Sequence, residues 1–184
     1  MKFAAITFEP LAHAATGYLI SAQSMDSSNE LKSPRIVIRK KARTLEVFDG
    51  KKLVKTVRIV LGFAPVGDKE VEGDGKTPEG EFYVFTKNPK SRFHLSLGLS
   101  YPSKSDAKRG LKANLISKDE FQSINKSIEE GRMPLQKTKL GGEVYIHGGG
   151  TDGDWTDGCI ALENEAIREL FNLSPKGTKV TILP

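Results

Sequence analysis

A single cysteine, Cys159, lies twelve residues after His147 and directly after Gly158. A thiol at its ordinary pKa is mostly protonated at neutral pH. A neighbouring imidazole can take that proton, which makes a Cys–His pair a common route to an acyl-enzyme. Val144, Tyr145 and Ile146 read as a short apolar strand running into His147, and the glycine-rich run that follows can fold the imidazole back onto the thiol. Gly158 lets the backbone turn sharply at the nucleophile and leaves space for a substrate carbonyl, so the amides of Gly158 and Cys159 are the oxyanion-hole candidates. From spacing alone, the alternative is an inert buried cysteine beside a structural histidine.

Three other chemistries compete for the same residues. Gly148, Gly150 and Gly153 have the spacing of a dinucleotide loop, but the third glycine should open a helix, and Gly158 breaks the chain again instead. Asp152, Asp154 and Glu163 occupy the first, third and twelfth positions of a calcium loop, whose glycine is displaced to Gly158 and which no helix enters. Zinc would need His147, Cys159 and the distant His94, with none of the usual paired ligand spacings. Gly73 to Gly80 reads as a structural turn, because the Gly-Lys-Ser/Thr of a phosphate loop is missing.

The elements that must position these residues belong to one substantial core, since the chain has 184 residues, 38% hydrophobic and 28% charged. Its 18 Gly and 9 Pro favour many short elements over a few long helices. Ile36 and Ile38, Leu45 and Val47, and Val57 and Ile59 alternate as a β-meander, with Asp49-Gly50 as a tight hairpin turn. A breaker-rich loop over 62–80 precedes a strand at Glu81–Thr86. Ser117 and Glu120 form a capping box that opens a helix over 117–130, Asn164 is placed to cap a second, and Val180–Leu183 closes as a strand. This order predicts a mainly β domain with flanking helices, of the α+β class.

Residues 23–34 are polar and Ser-rich, so 1–34 is expected to be a poorly ordered leader or linker and 35–184 the folded domain. The N-terminus carries Lys2 and an Ala12-His13-Ala14 triplet, but Glu9 and Pro10 interrupt its apolar run, which makes a weak export signal. No stretch is long and apolar enough to read as a membrane span. The net charge of +5 suits an anionic partner or plain solubility. The basic residues are scattered and not interleaved with aromatics in a stripe, which argues against nucleic acid.

His147-Gly148 followed by Trp155-Thr156-Asp157-Gly158-Cys159-Ile160-Ala161-Leu162 resembles the catalytic signature of the L,D-transpeptidase (YkuD-type) domain. Gly73-Asp74-Gly75-Lys76-Thr77-Pro78-Glu79-Gly80-Glu81-Phe82 and Leu99-Ser100-Tyr101-Pro102 resemble further segments of that family, so the likeness runs over about 35–184. It implies a sandwich- or barrel-like β catalytic domain that works on peptidoglycan stem peptides in the bacterial cell envelope. The acceptor would be an amine, or a protein linked to the wall. On this chain Cys159 would be the nucleophile, His147 the general base, and the Gly148 carbonyl the group that holds the imidazole tautomer. No metal or cofactor is implied.

Many members of that family have His and Arg where this chain has Asp157 and Ala161, and the form found here resembles a sub-branch of both transferases and hydrolases. The resemblance therefore implies either transpeptidation, or release of the acyl group to water by an L,D-carboxypeptidase or amidase. A non-catalytic wall-binding module is the third reading. Asp157 is a candidate contact for a substrate amine, Trp155 and Thr156 for the groove wall, and Arg92, with His94 and Tyr101, for a stem-peptide carboxylate.

Overall fold

The computed structural model describes residues 30–184, so most of the expected leader lies outside the described residues. The meander forms as expected: β1 (Pro34–Arg39) pairs antiparallel with β2 (Thr44–Asp49), and β2 with β3 (Lys52–Arg58). Gly50 takes a φ of 58° at the β2–β3 hairpin, a conformation that costs a glycine little. Ile36, Ile38, Leu45 and Val47 point into the core, as the period of two requires.

The last strand, β8 (Lys179–Leu183), lies parallel to β1 and antiparallel to the start of β4 (Gly80–Ser91), joining the first and last described strands in the middle of the sheet. β4 is twice the length expected. Its first residues, Gly80 to Tyr83, pair with β8, and after an irregularity between Val84 and Thr86 it pairs with β5 (His94–Leu99). A bulge at such a point bends and twists a strand, allowing one strand to serve two halves of a curved sheet. β6 (Tyr145–His147) and β7 (Ile160–Ala161) complete the order β3-β2-β1-β8-β4-β5-β6-β7. The expected mainly β fold with flanking helices is the one observed.

Among the described residues there are three helices, of which the last packs on the sheet. α1 (Lys104–Lys112), a helix not expected from the sequence pattern, opens on a Ser103/Asp106 capping box. α2 (Lys118–Glu129) opens on the expected Ser117/Glu120 box, and with α1 it encloses a small second core of Ala107, Ile116, Ile124 and Leu140. α3 (Asn164–Leu173) buries Ile167 and Leu170 in the main core. Its cap differs from the expectation. Glu163 is the N-cap residue, and the Asn164 Oδ1 accepts the Gly149 N–H at 3.0 Å, tying the helix start to the loop after His147.

Tyr101 is fully buried between the two cores and donates its hydroxyl to the Leu140 carbonyl at 2.8 Å. Burial, with the nearby Asp106 carboxylate, pushes the phenol far above its ordinary pKa, so it stays a donor at any working pH. Tyr101→Phe would leave that carbonyl unpaired in the core and is expected to cost about 1–2 kcal/mol by urea denaturation with an unchanged slope. A loss near zero would show that the bond is not a tie between the two cores.

Candidate active site

Cys159 ends a tight turn that immediately precedes β7, and Thr156 builds that turn. Its buried hydroxyl accepts the Gly158 N–H at 3.2 Å and donates to the Cys159 carbonyl at 2.8 Å, while its backbone bonds to Leu61 and Phe63. Thr156 thus frames the Cys159 turn and, as expected of a groove residue, also lines the groove. The same geometry corrects the oxyanion expectation. The Gly158 amide is already engaged by Thr156, and the Cys159 amide, which has no partner among the described residues, is the donor left for a substrate oxygen.

Gly158 has a φ of 123° and leaves no room for a side chain: a Cβ there would lie 2.7 Å from the Lys76 carbonyl oxygen. Gly62 is equally confined, its Cβ position falling 2.0 Å from the Gly75 oxygen and 3.0 Å from the Gly158 Cα. The breaker-rich loop between β3 and β4 therefore forms the floor of the nucleophile turn. Thr77 links the two by accepting the Gly62 N–H at 3.1 Å and reaching the Cys159 carbonyl at 3.4 Å. Lys40, buried at the end of β1, holds the loop through the Thr77 carbonyl and the Glu79 carboxylate, each at 2.8 Å.

His147 pairs with Ala161 across the parallel β6–β7 ladder, and Cys159 stands two residues before Ala161. Cys159 directly precedes β7, and the pairing brings imidazole and thiol to the same groove. The buried ring stacks on Phe93 with centroids 4.5 Å apart and meets the edge of Trp155 at 5.6 Å. Its Nδ1 lies 2.6 Å from the Gly148 carbonyl, which can only accept, so Nδ1 carries the proton and Nε2 keeps its lone pair. Burial lowers the imidazole pKa, with the Arg92 charge adding to the effect and the Gly148 bond opposing it. The ring is neutral at pH 7.

The thiol is neutral as well. It receives the Tyr145 N–H at 3.4 Å and donates to the Glu143 carbonyl at 3.5 Å. Burial pushes its pKa up to about 11; Asp157 and Glu143 push the same way, and the Tyr145 N–H and the Lys69 charge oppose them. At rest the site therefore holds a thiol and a neutral base, not an ion pair.

Both groups line a groove of about 1070 Å³ that also runs past Lys69, Arg92, Gly142, Trp155 and Asp157. A second cavity of about 480 Å³, floored by Asn88, Ser96 and Tyr145, meets the first at Arg92, Phe93, Glu143, His147 and Cys159. Arg92 lies over the Phe93 ring, Trp155 is 39% exposed, and both line the groove with Thr156 and Asp157. Tyr101 does not: it is buried in the core and lines neither cavity. His94 is exposed at the start of β5 and also lines neither. Lys69, Phe93 and Glu143 were missed. Among the described residues, no three His, Cys, Asp or Glu side chains come together in a set that can hold a metal ion.

A profile of the L,D-transpeptidase catalytic domain matches residues 33–182. None of the curated proteins matches the chain. Among solved structures, the helical cell shape determining protein Pgp2 of Campylobacter jejuni is 24% identical over 82% of this chain and 47% of its own, with a TM-score of 0.59. Bd1075 of Bdellovibrio bacteriovorus is 20% identical over the same two shares, with a TM-score of 0.55. An L,D-transpeptidase of Stackebrandtia nassauensis is 14% identical over 89% of this chain and 62% of its own, with a TM-score of 0.50. The chain spans about half the length of the first two, and at these identities the likeness is one of fold.

Because a methyl group at position 158 collides with backbone and the φ there is positive, Gly158→Ala is expected to cost about 2–4 kcal/mol in thermal or urea unfolding. It should also change the rate at which Cys159 reacts with iodoacetamide. Wild-type stability together with wild-type reactivity would show that the turn has slack.

Proposed function

The chain belongs to the L,D-transpeptidase catalytic domain family, and we propose that it is a cysteine acyltransferase acting on peptidoglycan stem peptides. The observation that carries this reading is the His147 ring, neutral and fixed through Nδ1 by the Gly148 carbonyl, with its free Nε2 in the same groove wall as the only cysteine. His147 takes the thiol proton, and the Cys159 sulfur attacks the carbonyl before the terminal residue of the stem. The Cys159 amide receives the oxyanion. His147 then returns the proton to the departing amine, leaving a thioester. An acceptor amine, deprotonated by the same imidazole, attacks the thioester, forming the new amide and restoring the thiol.

Attack requires the sulfur to leave its contact with the Glu143 carbonyl. The two cavities that meet at Cys159 support transfer between two substrates, since donor and acceptor can approach the sulfur from different sides. The substrate would place the protein in the cell envelope. No helix among the described residues is long and apolar enough to cross a membrane.

Intact-mass analysis of wild type and Cys159→Ala with a disaccharide tetrapeptide, with and without an added amine, tests the reading. A Cys159-dependent acyl adduct and an amine-linked product are expected. Loss of one residue with no amine incorporated would make the protein a hydrolase, and no adduct or product would leave a wall-binding module. The rate should also fall with acid as His147 protonates. Because the imidazole pKa lies below its ordinary 6.5, the midpoint of that limb is expected below pH 6.5. A midpoint above 7, or undiminished activity in His147→Ala at neutral pH, would remove His147 as the base.

A further inference from the structure

The groove holds one cation that is fixed rather than solvated. Lys69 lies in the loop between β3 and β4, and its side chain is only 4% exposed, whereas Arg92, Lys137 and Lys139 on the same groove are exposed. Its Nζ donates to the Asp74 carboxylate at 2.8 Å and to the Val71 carbonyl at 3.0 Å, and its third N–H has no acceptor among the described residues. Asp74 is itself fixed by the backbone N–H groups of Glu70, Val71 and Lys76 at 2.7, 3.1 and 3.0 Å. Burial alone would raise the Asp74 carboxyl, but these donors and the Lys69 ammonium outweigh it and hold it below its ordinary pKa.

The backbone of Lys69 is held too. Arg109 of α1 donates to the Lys69 carbonyl at 2.6 Å while paired with Asp68 and with the buried Asp106, each at 2.9 Å. The side chain then runs between two glycine turns. A Cβ on Gly141 would lie 3.4 Å from its Cε, and one on Gly158 would lie 3.9 Å from its Nζ. The ammonium is thus lodged beside the residue that precedes the nucleophile.

We propose that Lys69 is a positioning residue for Cys159, a fixed cation beside the Gly158–Cys159 turn that stabilises the thiolate when the thiol proton leaves. The inference rests on Cys159 being the reactive group. Other groups line the cavities beside Cys159 as well. Asp157 and the lead-in residue Glu143 bring negative charge, Tyr145 brings its N–H, His147 is neutral, and Arg92 is exposed over Phe93. Against two carboxylates near a half-buried sulfur, a cation held in place does more than a mobile one, because no ordering cost or solvent screening reduces its effect. The proton goes to His147 Nε2 during turnover, or to solvent when the free protein is titrated.

With one cysteine in the chain, alkylation by iodoacetamide followed by intact mass reads the thiolate without any peptidoglycan substrate. Rates would be taken across pH for wild type, Lys69→Met, Lys69→Gln and Lys69→Arg, with circular dichroism and melting curves as controls of folding. Lys69→Met and Lys69→Gln, the latter keeping a donor for Asp74, are expected to react about tenfold more slowly at pH 8, with the bend of the profile moved up by about one unit. Lys69→Arg should return most of the rate, and Asp157→Asn should move the bend the other way.

A purely structural Lys69 would change the rate by one factor at every pH and leave the bend in place. That result, a neutral variant that follows the wild-type curve, or unfolding of both neutral variants would overturn the proposal. Persistent turnover in Cys159→Ala would instead defeat the acyltransferase reading and leave the titration result standing.

Discussion

Two stretches of backbone approach each other beneath Cys159 more closely than any side chain allows. The Gly158 Cα stands 3.0 Å from where a Cβ on Gly62 would be, and the carbonyls of Gly75 and Lys76 fill what space remains. Such an approach is possible only between glycines, and it persists only if both partners are held. Much of the surrounding polar structure does that holding. Lys40 clamps the loop from β1, Asp74 gathers three of its amides, and Arg109 fastens it to α1. From the other side, isolated bridges join Val60 to Ala161 and Gly62 to Thr156.

On that floor the chemistry is set by backbone rather than by charge. A carbonyl, Gly148, fixes the imidazole where other triads use a carboxylate, and it can sit there because a Cβ on Gly148 would collide with the Phe93 carbonyl and the Asn164 amide. A neutral orienting group adds no negative charge that would raise the ring's pKa, and burial lowers it. The thiol, surrounded by Glu143 and Asp157, stays protonated. In the proposed mechanism proton transfer then comes with substrate attack, and at rest the thiol stays in the less oxidisable form.

The features legible in the sequence are those coded by neighbouring residues. The Asp49-Gly50 hairpin, the Ser117/Glu120 cap and the strand ending in His147 each depend on a few adjacent positions. The Cys–His pair was legible because one short segment carries both residues. Features that depend on distant contacts were not. Tyr101 resembles a surface binder in sequence, yet its ring lies in the core because β5 and the Leu140 turn close over it. The Gly158 amide looked free until Thr156, two residues earlier, was placed against it. Asn164 looked like a cap and serves Gly149 instead. Lys69 had no local signal, since its meaning comes from Gly141 and Gly158, far along the chain.

In the proposed mechanism His147 waits as a neutral base with its proton on the Gly148 side. Nitrogen-15 NMR of the imidazole, titrated across pH in the free protein, measures this directly. A neutral ring protonated at Nδ1 is expected at pH 7, with its titration midpoint below 6.5. An imidazolium at pH 7, or a neutral ring protonated at Nε2, would contradict that mechanism.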